Sequence, residues 1–364
     1  MRAWVLHDIG DIRYEETQTP VPASGEVRIS VKAAGVCGSD IPRIFTTGAH
    51  RMPLIPGHEF SGVVEVIGDG VDSAWMGKRV GVFPLIPCGK CSPCLDKHPE
   101  MCRSYDYIGS RRDGAFAECV LAPVSNLIEI PETVSFEAAA MFEPMAVAVH
   151  AMRMALGDEK QDDSMNSNED SKIVVCGLGT IGLLLVRFLL ECGCKDVYVV
   201  GRKDGQKHRA LILGIPEDHY CDGREVDVSS WIMGHIGGAD VFFECVGKNE
   251  CVSLGISCLT PGGTLITVGN PYSDMMFSRD TYWKILRNQL KIKGTWNSTF
   301  LKMGSGQEEN DDWHYVLKRL AEGSVDPTVL ITHRLWLEEL YTGFTIMRDK
   351  TEDYCKVMMI GKTE

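Results

Sequence analysis

SKIVVCGLGTIGLLLVRFLLECGCKDVYVVGRK, residues 171–203, decides the fold. Residues 173–176 are a short apolar run that reads as a buried strand, and residues 196–201 are a second. Between them lies Gly177-Leu178-Gly179-Thr180-Ile181-Gly182, followed by an apolar stretch that predicts a helix to about Cys192. Strand, glycine turn, helix and strand within about thirty residues is the dinucleotide-binding pattern. Gly177 permits the tight turn, Gly179 lets backbone approach a pyrophosphate, and Gly182 lets helix and strand pack closely. The start of the helix then turns its positive end toward the phosphates. The competing reading is a glycine-containing helix start in an unrelated α/β domain.

Working outward, 239–247 (ADVFFECVG), 262–270 (GGTLITVGN) and 290–296 (LKIKGTW) read as further strands. A nucleotide domain over 150–296 follows. An acid at the end of the second strand would bind the ribose hydroxyls of NAD. Gly201 stands at that place, and Arg202 and Lys203 follow it. Their charges suit a 2′-phosphate, so the reading leans to NADP over NAD.

The first 120 residues read as all-β, with MRAWVL, GEVRISVKAAGV, GHEFSGVVEVIG and GKRVGVFP divided by turns rich in Gly, Asp and Pro. Residues 157–171 and 303–311 are polar and aperiodic and read as solvated loops, and 312–322 reads as a helix with Trp313, Val316, Leu317 and Leu320 on one face. The net charge of −13 argues against nucleic acid or anionic membranes as partners and leaves small molecules open. No run of eighteen apolar residues predicts a membrane span, and the opening residues do not read as a signal peptide. Many of the 14 cysteines sit in apolar runs, such as Cys176 and Cys245, which points to a reducing cytoplasm.

Four cysteines are different. Cys88, Cys91, Cys94 and Cys102 follow the spacing C-x2-C-x2-C-x7-C. Short gaps let the sulfurs converge on one tetrahedral ion, and four thiolates leave no corner for water, so a structural zinc is expected. A ferredoxin-type cluster has a shorter last gap, and free or disulfide-paired thiols are the plain alternative. Other segments carry ligand types singly: Cys37 in AAGVCGSDIPRIF, His58 and Glu59 in PLIPGHEFSG, and Glu143 in the apolar AAAMFEPMAVAVHAM. A carboxylate in an apolar run is costly unless paired or bound to metal. Alone, each has an ordinary explanation: a core thiol, a loop histidine, a helix-start glutamate. Together they suggest the three-ligand-plus-water pattern of catalytic zinc, from Cys37, His58 and either Glu59 or Glu143.

In their order and spacing, GHE, the four-cysteine loop, EP and GxGxxG resemble the zinc-containing medium-chain alcohol/polyol dehydrogenases over nearly all 364 residues. The segments CGSDIPRIFTTGAH, YDYIGSRRDGAFAE and ILRNQLKIKGTWNS resemble its polyol-phosphate branch. The resemblance implies an α/β architecture: a GroES-like β-rich catalytic domain, 1–149 completed by 297–364, with the Rossmann domain inserted and the site in the cleft. It implies one catalytic and one structural zinc, NAD or NADP, and a homodimer or homotetramer joined through the nucleotide domains. It places Cys37, His58, Glu59 and Glu143 on the catalytic metal, Ser39 on the proton path, and Asp40 beside the ligands. The implied reaction is hydride transfer between nicotinamide and a polyol phosphate, galactitol 1-phosphate giving tagatose 6-phosphate, with Arg43, Arg111 and Arg112 as phosphate candidates. Sorbitol or threonine oxidation, and a non-catalytic NADP-binding protein, are the alternatives. The chain departs from the family at Pro42, where alcohol dehydrogenases carry a relay histidine that His50 would have to replace, and at Gly201.

Overall fold

The computed structural model describes residues 1–157, 171–301 and 311–361. The segments read as loops, 157–171 and 303–311, fall almost wholly outside them. The chain divides into two compact units, Met1–Ala146 with Ser298–Glu364, and Val147–Asn297.

The first unit opens with nine strands: β1 (Arg2–Asp8), β2 (Asp11–Glu16), β3 (Glu26–Val36), β4 (Glu59–Ile67), β5 (Arg79–Val82), β6 (Leu85–Ile86), β7 (Asp106–Tyr107), β8 (Cys119–Pro123) and β9 (Leu127–Glu129). The second unit holds β10 (Ile173–Cys176), β11 (Val197–Gly201), β12 (Tyr220–Asp222), β13 (Ala239–Glu244), β14 (Leu259–Thr267) and β15 (Lys291–Gly294). The chain then returns to the first unit with β16 (Ile331–Trp336) and β17 (Lys356–Ile360).

In the first unit a seven-stranded sheet runs β16-β17-β3-β4-β5-β9, with β8 on β3 as well. The long strand β3 organises it. Its first half pairs with β8, its last residues pair with β17, and β4 runs antiparallel along both. Alternating burial along β3 sends Val27, Ile29 and Val31 into a core shared with Phe60, Val80, Phe116 and Phe344. The first 120 residues are not purely β. Residues 40–47 wind into a helical turn, Asp40–Pro42 running into Arg43–Thr47, and Ser92–Leu95 form one more short helix. The turn starts where the carbonyl of Cys37 accepts the amide of Asp40 at 3.0 Å.

A short helix, Phe136–Ala140, is capped by Ser135, and a second, Phe142–Leu156, follows directly. Phe142 stacks on the buried Trp313 with ring centroids 5.5 Å apart and planes 11° apart. Gly81 leaves room for that ring, since a Cβ there would lie 2.8 Å from it. This packing fixes the first turn of the helix and with it Glu143. Trp313 belongs to the helix Asp312–Ala321, close to the span read from the sequence.

The second unit is a parallel sheet in the order β12-β11-β10-β13-β14-β15. Its central strands β10, β11 and β13 are near-continuous apolar runs, as strands covered on both faces require. The order reverses direction between β10 and β13, the switch point where such sheets bind ligands at their carboxyl ends. Among the described residues no helix is long and apolar enough to cross a membrane.

Candidate metal centre and nucleotide turn

Sheet register builds the first site. Cys37 follows the end of β3, Glu59 opens β4 opposite Gly35, and Lys356 opens β17, whose next residue Val357 lies opposite Val36. The donor atoms of Cys37, His58 and Glu59 lie within 4.8 Å of one another. His58 and Glu59 are buried, as is Glu143, which stands outside that set of three. Lys356 was not singled out by the sequence. It is 2% exposed and donates from Nζ to Glu59 Oε2 and, at 3.4 Å, to the carbonyl of Val36. Gly35 lies beside this pair, and a Cβ on it would run into Glu59 Oε2.

The other groups around the centre each have a partner. Asp40, fully buried, accepts the amide of Cys37 at 3.0 Å and the guanidinium of Arg43. Its carboxylate stands 3.5 Å from His58 Nδ1, long for a hydrogen bond, and that nitrogen has no hydrogen-bond partner. Burial opposes charge on His58, yet Asp40 and the Cys37 sulfur outweigh it and raise its pKa well above the ordinary value. Ser39 donates from Oγ to the Cys37 sulfur at 3.3 Å. Glu143 accepts the phenol of Tyr107 at 3.2 Å, and the Tyr107 ring meets His58 edge-on at 5.8 Å. Burial, reinforced by Glu59, pushes the Glu143 carboxyl up to about 7 against the opposing charges of His58 and Lys356.

Two expectations need correction. Arg111 and Arg112 do not join this group. Arg112 binds Glu26 at 2.6 Å, Arg111 lies over the ring of Tyr105, and both line a separate cavity of about 360 Å³ whose walls include none of the four metal candidates. The reason is the tight turn after β7, where the Tyr107 carbonyl accepts the amides of Ser110, Arg111 and Arg112. Of the three arginines only Arg43 is tied to the metal group, and its partner is Asp40. His50 is exposed on the loop after the helical turn.

The four cysteines converge as their spacing requires, with donor atoms within 4.8 Å of one another. Cys91 Sγ lies 3.5 Å from Cys94 Sγ and 3.8 Å from Cys102 Sγ. Four thiolates at about 2.3 Å from one zinc stand about 3.8 Å apart at a tetrahedral edge, so the sulfurs are already spaced for the ion. Loop amides serve them: those of Lys90 and Cys91 lower the Cys88 thiol, and those of Arg103 and Cys94 bring Cys91 down to about 6. No disulfide joins any two of the 14 cysteines.

The nucleotide turn lies in the second unit. Gly177 has φ of 100°, and a Cβ there would meet Val246 at 2.6 Å; at Gly182 one would strike the Gly177 carbonyl. Gly179 has open space in front of it and caps the helix Thr180–Glu191 that carries Ile181. Gln206 braces the turn, donating to the Leu178 carbonyl at 3.2 Å and accepting the Arg202 amide at 2.9 Å. Gly201 is buried because Tyr220, from the neighbouring strand, fills the place of a side chain: an added Cβ would run into its hydroxyl. Arg202 and Lys203 are exposed. The nearby acids Asp204 and Asp222 are both engaged by Arg224, at 2.6 Å each.

Residues 23–132 match the family described as "Alcohol dehydrogenase GroES-like domain", and residues 180–322 match "Zinc-binding dehydrogenase". Galactitol 1-phosphate 5-dehydrogenase of Escherichia coli K12 is 31% identical over 335 residues, 92% of each chain. The chain belongs to the zinc-binding medium-chain dehydrogenases. A crystal structure of galactitol-1-phosphate dehydrogenase from Escherichia coli superposes with a TM-score of 0.88 at 30% identity, covering 99% of this chain and all of that one. A zinc-binding dehydrogenase from Sinorhizobium meliloti 1021, solved with NADP, gives 0.86 at 26% identity over 99% and 98%.

As a member of this family the chain has two metal-binding clusters. Both donor sets fit zinc by their chemistry, and the convergence of the Cys37, His58 and Glu59 donors and the tetrahedrally spaced sulfurs are this structure's own support. Sequence reasoning missed Lys356, Tyr107 and Tyr220. The one available signal was a lysine at the head of the apolar run KVMMI.

Proposed function

We propose that this dehydrogenase transfers hydride reversibly between a polyol phosphate and NADP, with galactitol 1-phosphate giving tagatose 6-phosphate. The observation that carries the reading is the convergence of the partly buried Cys37 with the buried His58 and Glu59, with a hydroxyl, Ser39, against the ligand sulfur. The relative of 31% identity that acts on galactitol 1-phosphate supports the substrate. Cys37, His58 and a carboxylate would hold a zinc ion, which would supply Lewis-acid chemistry that lowers the pKa of a substrate hydroxyl. Ser39 carries the released proton outward. Asp40, paired with Arg43, holds the Cys37 backbone, and Arg43 is the cation best placed for a substrate phosphate.

NADP is the favoured cofactor. Position 201 offers no carboxylate to a ribose diol, Tyr220 leaves no room for one, and Arg202 and Lys203 follow with exposed cations. The zinc-binding relative solved with NADP is consistent with this choice.

The test is nicotinamide reduction by purified protein on galactitol 1-phosphate, galactitol and sorbitol, each with NAD and NADP. Turnover with the phosphate and NADP alone is expected, and Arg202→Ser should cut kcat/KM for NADP by about ten-fold while sparing NAD. Equal rates on free galactitol or sorbitol would replace this reading by a general polyol dehydrogenase. The pairing of Arg43 and Arg112 with carboxylates favours that second reading. Preference for NAD would overturn the role given to Arg202.

The partner is a second copy of the chain. Strand β15 is an exposed sheet edge, and the helix Arg279–Arg287 and the residues beside them expose Tyr282, Trp283, Leu286, Ile292 and Trp296. A bare edge flanked by large apolar side chains calls for a strand to cover it. Light scattering should give at least a dimer, and Ile292→Lys should shift it toward monomer. A monomeric wild type would sink this assignment.

A further inference from the structure

Tyr107 takes no part in the reaction as proposed, yet both its backbone and its side chain are held in the centre. Its backbone is fixed twice. β7 pairs Tyr107 with Leu85, and its carbonyl accepts three amides from the turn that follows. Its ring is wedged between Tyr105, at 6.2 Å and 72°, and the edge of His58. The phenol is therefore delivered to one place, and there it donates to Glu143 Oε1.

Glu143 in turn is held by the helix start that Phe142 pins against Trp313. Two carboxylates thus flank the same ligands, and each has a partner of a different kind. Glu59 has the ammonium of Lys356, and Glu143 has a neutral hydroxyl. Glu59 lies within the convergent set and Glu143 outside it. A buried carboxylate deprived of its donor seeks a cation; Lys356 is already engaged by Glu59, which leaves a metal held by Cys37, His58 and Glu59 as the cation it would turn to.

We propose that Tyr107 is a positioning residue that holds Glu143 off the coordination position which Cys37, His58 and Glu59 leave to substrate. The inference rests on the metal reading above and not on the identity of the polyol. A residue that only supported the fold would, when altered, weaken metal binding. A residue that restrains a competing ligand would, when altered, tighten it.

The experiment uses cobalt(II) as a spectroscopic probe in the full-length protein, with the four-cysteine site left as zinc. Tyr107→Phe keeps the ring on His58 and removes only the hydroxyl. Its visible cobalt bands should shift, and cobalt should dissociate about ten-fold more slowly. With the polyol that the wild type oxidises, KM should rise about ten-fold with kcat nearly unchanged, because substrate must displace Glu143. Adding Glu143→Gln to Tyr107→Phe should return the bands to those of the wild type. Unchanged bands, or faster cobalt loss, would overturn the role of Tyr107 while leaving the metal centre intact. Failure of the wild type to bind cobalt at this site would overturn the metal reading and this inference with it.

Discussion

Cys37→Ser should lower kcat/KM for the polyol by about three orders of magnitude or more and halve the zinc content of the protein. The soft thiolate is the strongest zinc donor of the convergent set, and serine offers a weak neutral oxygen in its place. Without the ion nothing at the centre stabilises charge developing on the substrate oxygen, and a loss of about 4 kcal/mol in transition-state stabilisation corresponds to three decades in rate. The fold should survive, because the thiol is only partly buried and the four-cysteine loop keeps its own donors. Metal analysis and circular dichroism on the same sample separate loss of zinc from loss of structure. Retention of turnover by the serine variant would sink the assignment of the reaction to this centre. Variants of Cys94 should behave in the opposite way, losing the loop's zinc and stability before chemistry.

What the sequence disclosed and what it hid follow from range. The glycine turn and the cysteine loop are local: periodicity and spacing within about thirty residues carry them, and their side chains need no distant partner to be recognised. Cys37, His58, Glu59 and Glu143 were legible as residue types, because a metal ligand must be one of few kinds. Cys37, His58 and Glu59 meet because β3 and β4 lie side by side, and Glu143 comes to them from a helix packed on Trp313, which no local signal encodes. Lys356 is 297 residues from Glu59, so a lysine at the head of an apolar strand gave no hint of the carboxylate across β3. Arg112 was misplaced for the same reason, since its partner Glu26 is 86 residues away. Gly201 was legible as a missing acid. Why it is glycine was not, because the Tyr220 hydroxyl that occupies the space comes from the next strand.

The buried pair of Glu59 and Lys356 makes the second large prediction. Both side chains are almost fully enclosed, and the ammonium also holds the Val36 carbonyl at the end of β3. Burial disfavours a charged lysine, but Glu59 outweighs it and Lys356 stays protonated. Methionine has a similar length and no charge, so Lys356→Met keeps the packing and leaves the Glu59 carboxylate without its cation. Breaking one side of a buried pair costs about 3–5 kcal/mol, roughly 6–20 °C in melting temperature for a unit of this size. Glu59→Gln strands the ammonium and should cost a comparable amount. The double variant, with neither charge to desolvate, should recover most of the loss, a large favourable coupling in a double-mutant cycle. The measurement is the urea midpoint in fixed excess zinc. Additive losses in the double variant, or a Lys356→Met shift below about 1 kcal/mol, would show that the two groups do not sustain each other. A coupled result has a consequence for the centre. The lysine neutralises one carboxylate of the convergent ligand set itself, and Gly35 keeps the passage between the strands open for the two to meet. Gly35→Ala should therefore imitate Lys356→Met, displacing the Glu59 carboxylate by steric force where the other variant removes its partner.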